Sequence, residues 1–150
     1  NLANMARGTE ITEELPDDRL RTAVFGRARK LLRPGTALEL GGRYYTDDWG
    51  VDAFTIEPRL YQSLTDDLRV RLRYRYYSQE ASKYWGERFT AAPEFRTQDS
   101  DLGDFDSSTV GIKFMWDVNR SHHLDFSVDY GTLSDGLDHV FASIGWRHSF

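Results

Sequence analysis

The stretch LRVRLRYRYY, residues 68–77, decides how the rest of the chain is read. Arg69, Arg71, Arg73 and Arg75 stand at every second position, with Leu68, Val70, Leu72, Tyr74 and Tyr76 between them. Successive side chains of a β-strand point to opposite faces, so this strand has one cationic and one apolar face. A helix would scatter the four arginines around its cylinder.

The period of two recurs, as expected of strands that separate two environments. In 36–45, Leu38, Leu40, Gly42 and Tyr44 oppose Glu39, Gly41, Arg43 and Tyr45. In 52–62, Phe54, Ile56, Pro58 and Leu60 oppose Thr55, Glu57, Arg59 and Tyr61. In 109–118, Val110, Ile112, Phe114, Trp116 and Val118 oppose Lys113 and Asp117. In 123–131, Leu124, Phe126, Val128 and Tyr130 oppose Asp125, Ser127 and Asp129. The final run, 140–150, puts Val140, Ala142, Ile144, Trp146 and Phe150 on one face together with His148, and Arg147 on the other. A less regular candidate lies at 20–32, for about seven strands in all. Pro58 is expected at a bulge or an edge, because proline cannot donate to a ladder.

At 150 residues the chain is long enough for one domain with its own core. It contains no cysteine, which removes disulfides, thiolate metal sites and thiol nucleophiles. The net charge of −5, with both signs mixed along the length, weighs against a nucleic-acid binder. Tyr74 and Tyr76, between the arginines of 68–77, also lie on the opposite face from them, so bases and phosphates could not both be served. No apolar run approaches the ~20 residues of a membrane-spanning helix, and the opening NLANMARGTEITEEL lacks the pattern of a signal peptide. A transmembrane barrel escapes both tests, because alternation averages out hydrophilic.

The connections sharpen this expectation. RPG (33–35), SLTDD (63–67) and NRSH (119–122) are short turns. TDDWG (46–50) and TLSDGLDH (132–139) are longer, and 78–108 reads as one long loop. Short turns at one end and longer loops at the other characterise outer-membrane barrels. Counting back from a periplasmic C-terminus puts every short turn in the periplasm, with 78–108 and the leading 1–19 as extracellular loops. Tyr44, Tyr74, Tyr76 and Tyr130 then fall at the extracellular end of the apolar face, and Trp116, Trp146 and Phe150 toward the other end. Two aromatic belts around an aliphatic band are the signature of interfacial anchoring. A soluble antiparallel sheet with one dry face also alternates, but it has no need of such belts.

The segments RYYTDDWGVDAFTIEPRLYQSL (43–64) and LRVRLRYRYYSQEASKYW (68–85) resemble an uncharacterised family of Gram-negative outer-membrane barrels, a domain of unknown function. Residues 43–50 and 73–85 carry the resemblance, which covers about half the chain. It implies an outer-membrane location and a barrel, with no activity or catalytic residue. Members of that family are longer, so the chain is expected to be the C-terminal part of a larger barrel, bacterial barrels having even strand numbers. The alternating end Ile144, Trp146 and Phe150 resembles the signal read by the barrel-assembly machinery, with His148 as a departure from it.

Expected lumen-lining charges are Glu39, Arg43, Glu57, Arg59, Arg69, Arg71, Arg73, Arg75, Lys113, Asp117, Asp125, Asp129 and Arg147. Hairpin geometry places Glu39 near Arg59, and Glu57 between two arginines. A salt-bridged wall is the plainer account of these charges; a lining that prefers anions is the functional one. The acidic loop residues Asp99, Asp101, Asp104 and Asp106 lack the glycine and terminal glutamate of a calcium loop. His122 and His123 point to opposite faces, so they make a poor metal pair. His123 and Ser127 share a face but lie about 13 Å apart along a strand, too far for a hydrolase pair. No cofactor, metal or enzymatic reaction is expected. The expected function is a pore with a charged lumen, or a scaffold for a partner protein, set in outer-membrane lipid and lipopolysaccharide. The alternative is a soluble antiparallel β-domain with a binding face.

Overall fold

The computed structural model describes residues 15–86 and 95–149. Seven strands follow in chain order: β1 (Arg21–Arg33), β2 (Thr36–Asp47), β3 (Asp52–Ser63), β4 (Leu68–Gln79), β5 (Phe105–Asp117), β6 (His122–Leu133) and β7 (Asp138–His148). Each pairs antiparallel with the next, giving one sheet in sequence order. A short 3₁₀ turn, Ser100–Leu102, lies in the connection between β4 and β5. Among the described residues, no helix is long and apolar enough to cross a membrane.

The sheet is not closed into a barrel, because β1 and β7 are its two edges and do not pair with each other. Their direction gives the reason. Arg21 at the start of β1 faces Asp47, while Asp138 at the start of β7 faces Thr132, so both strands set out from the same end of the sheet. They run in parallel, and an antiparallel ladder between them is impossible.

Pro58 sits in the sheet interior, not at an edge. It keeps Leu40 as its partner on β2, while the β3–β4 ladder passes over Glu57 and Pro58 and resumes at Arg59↔Arg73 without a shift in register. The missing proline N–H thus opens a local gap in place of the expected bulge. The one register shift in β1–β2 falls between Leu31 and Arg33. It adjoins a tight turn in which Pro34 presets φ and Gly35 takes φ 79°, a conformation that favours glycine.

Strand-end parity agrees with expectation: the connections 34–35, 64–67 and 118–121 share one end, and 48–51, 80–104 and 134–137 share the other. The loop lengths need correction. The long loop is 80–104, narrower than 78–108, because β4 and β5 extend into it. The connections after β2 and β6 shrink to four residues each, so the asymmetry between the ends rests on 80–104 alone.

Burial differs between the two faces of the inner strands, while the edge strand β1 is exposed on both. Leu40, Leu72, Val110, Phe126 and Ile144 on the apolar face are all exposed, Leu72 at 47 % and Ile144 at 80 %. Glu39 and Ser127 on the opposite face are 7 % and 6 % exposed. The buried apolar residues Ala37, Val51, Ala53 and Leu102 all lie on that charged side or at the loop end.

Candidate functional site: the charged face and its loop cap

Between its two rims the polar face carries Arg27, Arg29, Arg43, Arg59, Arg69, Arg71, Arg73, Arg75, Lys113 and Arg147 against Glu39, Glu57, Asp117, Asp125 and Asp129. The chain as a whole is acidic at −5, so this cationic excess is local to one face. Cavities lined from four neighbouring strands make it the concave side.

A band of ion pairs crosses the face at mid-height. Glu39 accepts from Arg59 Nη1 at 2.9 Å and lies 3.5 Å from Arg27 Nε. Glu57 bridges Arg59, in close contact, and Arg73 at 3.9 Å. Arg73 Nη2 then donates to Asp129 Oδ1 at 2.8 Å. The expected Glu39–Arg59 neighbourhood is present, whereas Glu57, expected between two β4 arginines, meets one of them, Arg73, and Arg59 of its own strand. Separate pairs lie toward the short-turn end: Arg69 with Asp117 at 3.1 Å, His123 with Asp117 at 2.6 Å, and Lys113 with Asp125 at 2.6 Å.

Arg73 and Asp129 are two strands apart, and Gly111 on β5 lies between them in register. A Cβ at Gly111 would sit 1.8 Å from Asp129 Oδ1, so the bridge exists only because that position lacks a side chain. This link was invisible to alternation, which pairs adjacent strands only.

The arginines of β4 alternate in state as well as in position. Arg69 and Arg73 hold carboxylates, whereas Arg71 and Arg75 have none within ion-pair distance among the described residues. Arg71 stands between Tyr61 and Lys113, and its Nε is buried without a hydrogen-bond partner. Arg43 also has no carboxylate within ion-pair distance among the described residues, and it leans over Tyr45, 5.9 Å from the ring centroid. Arg147 lies opposite His123.

On the apolar face the aromatic residues fall near the two strand ends as expected. At the loop end Tyr44 donates to Asp52 Oδ1 at 2.9 Å, Tyr130 donates to Asp138 Oδ2 at 3.0 Å, and Tyr74 meets Ser108 Oγ at 3.2 Å. Tyr76 packs against Phe54, with ring centroids 5.7 Å apart. At the other end Trp116 lies across from Leu124, and Trp146 donates to His122 Nδ1 at 3.2 Å. His148, which departs from the assembly-signal pattern, faces His122 across the β6–β7 ladder, with ring centroids 4.7 Å apart. Ile144 and Trp146 stand exposed on the edge strand, and Phe150 lies outside the described residues. Tyr130 is six residues beyond Leu124, so the two belts are about 20 Å apart along the strand.

The loop end carries a cap that sequence reasoning missed. Gln79 donates to the carbonyls of Asp101 and Gly103, both at 2.9 Å, and accepts from Tyr77 at 2.5 Å. Ser82 Oγ and Lys83 N donate to the carbonyl of Trp49, which ties the 80–104 loop to the β2–β3 turn. That turn is organised by Asp47, whose carboxylate is fully buried. It accepts from Arg19 Nε at 2.8 Å, Tyr45 at 2.7 Å, and the backbone N–H groups of Trp49 and Val51, both at 3.0 Å. The YYTDDWG motif is therefore a folding device of this turn. A short aspartate two residues before Trp-Gly is the signal that could have revealed it.

Ser127 bonds Ser143 at 2.8 Å while His123 bonds Asp117, so the two do not meet. Among the described residues, no group of three His, Asp or Glu side chains could hold a metal.

Fold and faces together define the class: an all-β antiparallel sheet protein with an uncovered apolar face and a charged concave one. The chain belongs to the family described as "Protein of unknown function (DUF3570)", whose profile matches residues 2–138. No curated protein and no solved structure matches it.

Proposed function

We propose that the chain forms part of a β-barrel in a Gram-negative outer membrane, acting as a pore with a charged lumen or as a scaffold whose lumen holds a partner protein. The observation that carries this reading is the inverted burial. An apolar face lies exposed across all seven strands between two aromatic belts, while the charged face is knit by ion pairs. Water makes such an apolar face costly, at about 25 cal/mol per Å² left uncovered, and lipid removes that cost. Strands of 11 to 13 residues are long enough for a tilted crossing, which takes about 9–11.

In hydrocarbon an unpaired edge costs several kcal/mol for each backbone group, so β1 and β7 would have to be paired. Because they run in parallel, an antiparallel ring takes an odd number of additional strands between them. On this reading the partners are outer-membrane lipid and lipopolysaccharide on the apolar face. The barrel-assembly machinery would act at the strand bearing Ile144 and Trp146. The role is passage or docking, with no chemistry of its own.

The test is planar-bilayer conductance of the detergent-extracted protein. Steady current with anion preference is expected of a pore. Insertion without current would leave the scaffold form. A monodisperse protein in buffer without detergent would overturn both and favour a soluble β-domain.

A further inference from the structure

We infer that Arg43 and Arg75 form a binding site for a small oxyanion on the concave face, just on the loop side of the ion-pair band. The reading as a lumen is what makes this site enclosed, but the binding chemistry belongs to the wall itself. A cavity of about 560 Å³ is lined here by Arg27, Arg43, Thr55, Glu57, Arg59 and Arg75, with Phe25 and three glycines completing it. Four guanidinium groups thus meet one carboxylate, and that carboxylate is already held by Arg59 and Arg73. Arg27 and Arg59 are engaged by Glu39.

The unspent charge is therefore concentrated on Arg43 and Arg75. They reach the cavity from β2 and β4, on either side of the β3 residue Thr55, which brings a hydroxyl. Gly41 keeps the β2 wall low beside them; a Cβ there would reach within 3.8 Å of Arg27 Nε. A planar guanidinium offers two parallel N–H donors to an oxyanion, and two guanidiniums plus a hydroxyl match an anion with three or four oxygens.

The pairing pattern makes the site selective within the ladder. Arg69 and Arg73 spend their charge on Asp117 and Asp129, whereas Arg75 does not. Arg147, at the short-turn end, serves as a cation of the same face outside the cavity. Phosphate, sulfate and carboxylates share the required chemistry, and competition among them distinguishes the source.

The experiment is isothermal titration of inorganic phosphate into the detergent-solubilised protein, with strand content checked by circular dichroism. Saturable uptake is expected, weakened tenfold or more by Arg43→Ala and by Arg75→Ala and unchanged by Arg147→Ala. Titrations of sulfate and succinate against bound phosphate then rank the anions. No saturable uptake by folded wild-type protein would overturn the site while leaving the pore reading standing. Equal weakening by Arg147→Ala would overturn it as general electrostatics. Saturable uptake with the expected variant pattern, in a protein that carries no current, would keep the site and break the pore reading alone.

Discussion

The two faces of this sheet are built from the same strands, residue by residue, yet they hold together by opposite means. On the apolar face neighbours such as Tyr74, Val110 and Tyr130 line up across strands and remain exposed. On the charged face Glu57, Arg59, Arg73 and Asp129 are half-buried because they lie across their neighbours and pair, as Arg73 does over Gly111 to reach Asp129. The first face depends on its surroundings and the second on itself. Substitutions on the two faces should therefore fail differently, and a membrane should matter to one of them only.

Leu72→Arg should have the largest effect, a loss of about 2–4 kcal/mol for a charge near mid-bilayer, read by denaturant unfolding in lipid vesicles. A loss no larger than that from Arg71→Leu would reverse the facing of the sheet. Gly111→Ala comes next. Its Cβ collides with Asp129 and severs the longest link of the band, at about 1–3 kcal/mol by overpacking. An unchanged midpoint in the same unfolding assay would mean that the band contributes rigidity without stability.

Tyr130→Phe removes one hydrogen bond to Asp138 at the loop-end belt and should cost about 0.5–1.5 kcal/mol. That loss would be compared in vesicles and in detergent; an effect confined to detergent would deny the belt an interfacial role. Arg71→Leu should be smallest in stability, within about 0.5 kcal/mol, since no carboxylate is left behind. Its signature is a reversal potential shifted away from anion preference. If the shift is absent while Arg75→Leu produces one, the unpaired charges are not equivalent.

Much of the architecture was legible in residues 68–77 and their repeats, because the period of two is a property of the backbone itself. The expected strands are all present, as are the belt aromatics other than Phe150 near their strand ends and the Glu39–Arg59 pair, which needs only hairpin register. The 80–104 boundary was misjudged because Ser78, Gln79 and Phe105 to Ser108 interrupt the alternation of composition while the backbone continues in the ladder. Pro58 was expected at a bulge or an edge, but the sheet tolerates it inside by leaving out two pairings on one side.

By itself, the sequence determined which residues share a face, how many strands there are, and at which end each turn lies. All of these follow from alternation along the chain. Only the tertiary structure decided which arginines are neutralised and which are left over, since Arg73 finds its carboxylate two strands away through a gap left by a glycine. It alone decided that Asp47 and Gln79 anchor the cap, because their partners come from segments distant in sequence. The open edges, by contrast, already follow from an odd number of strands. Strand direction reverses at each of the six connections, which leaves the first and last of seven strands pointing the same way.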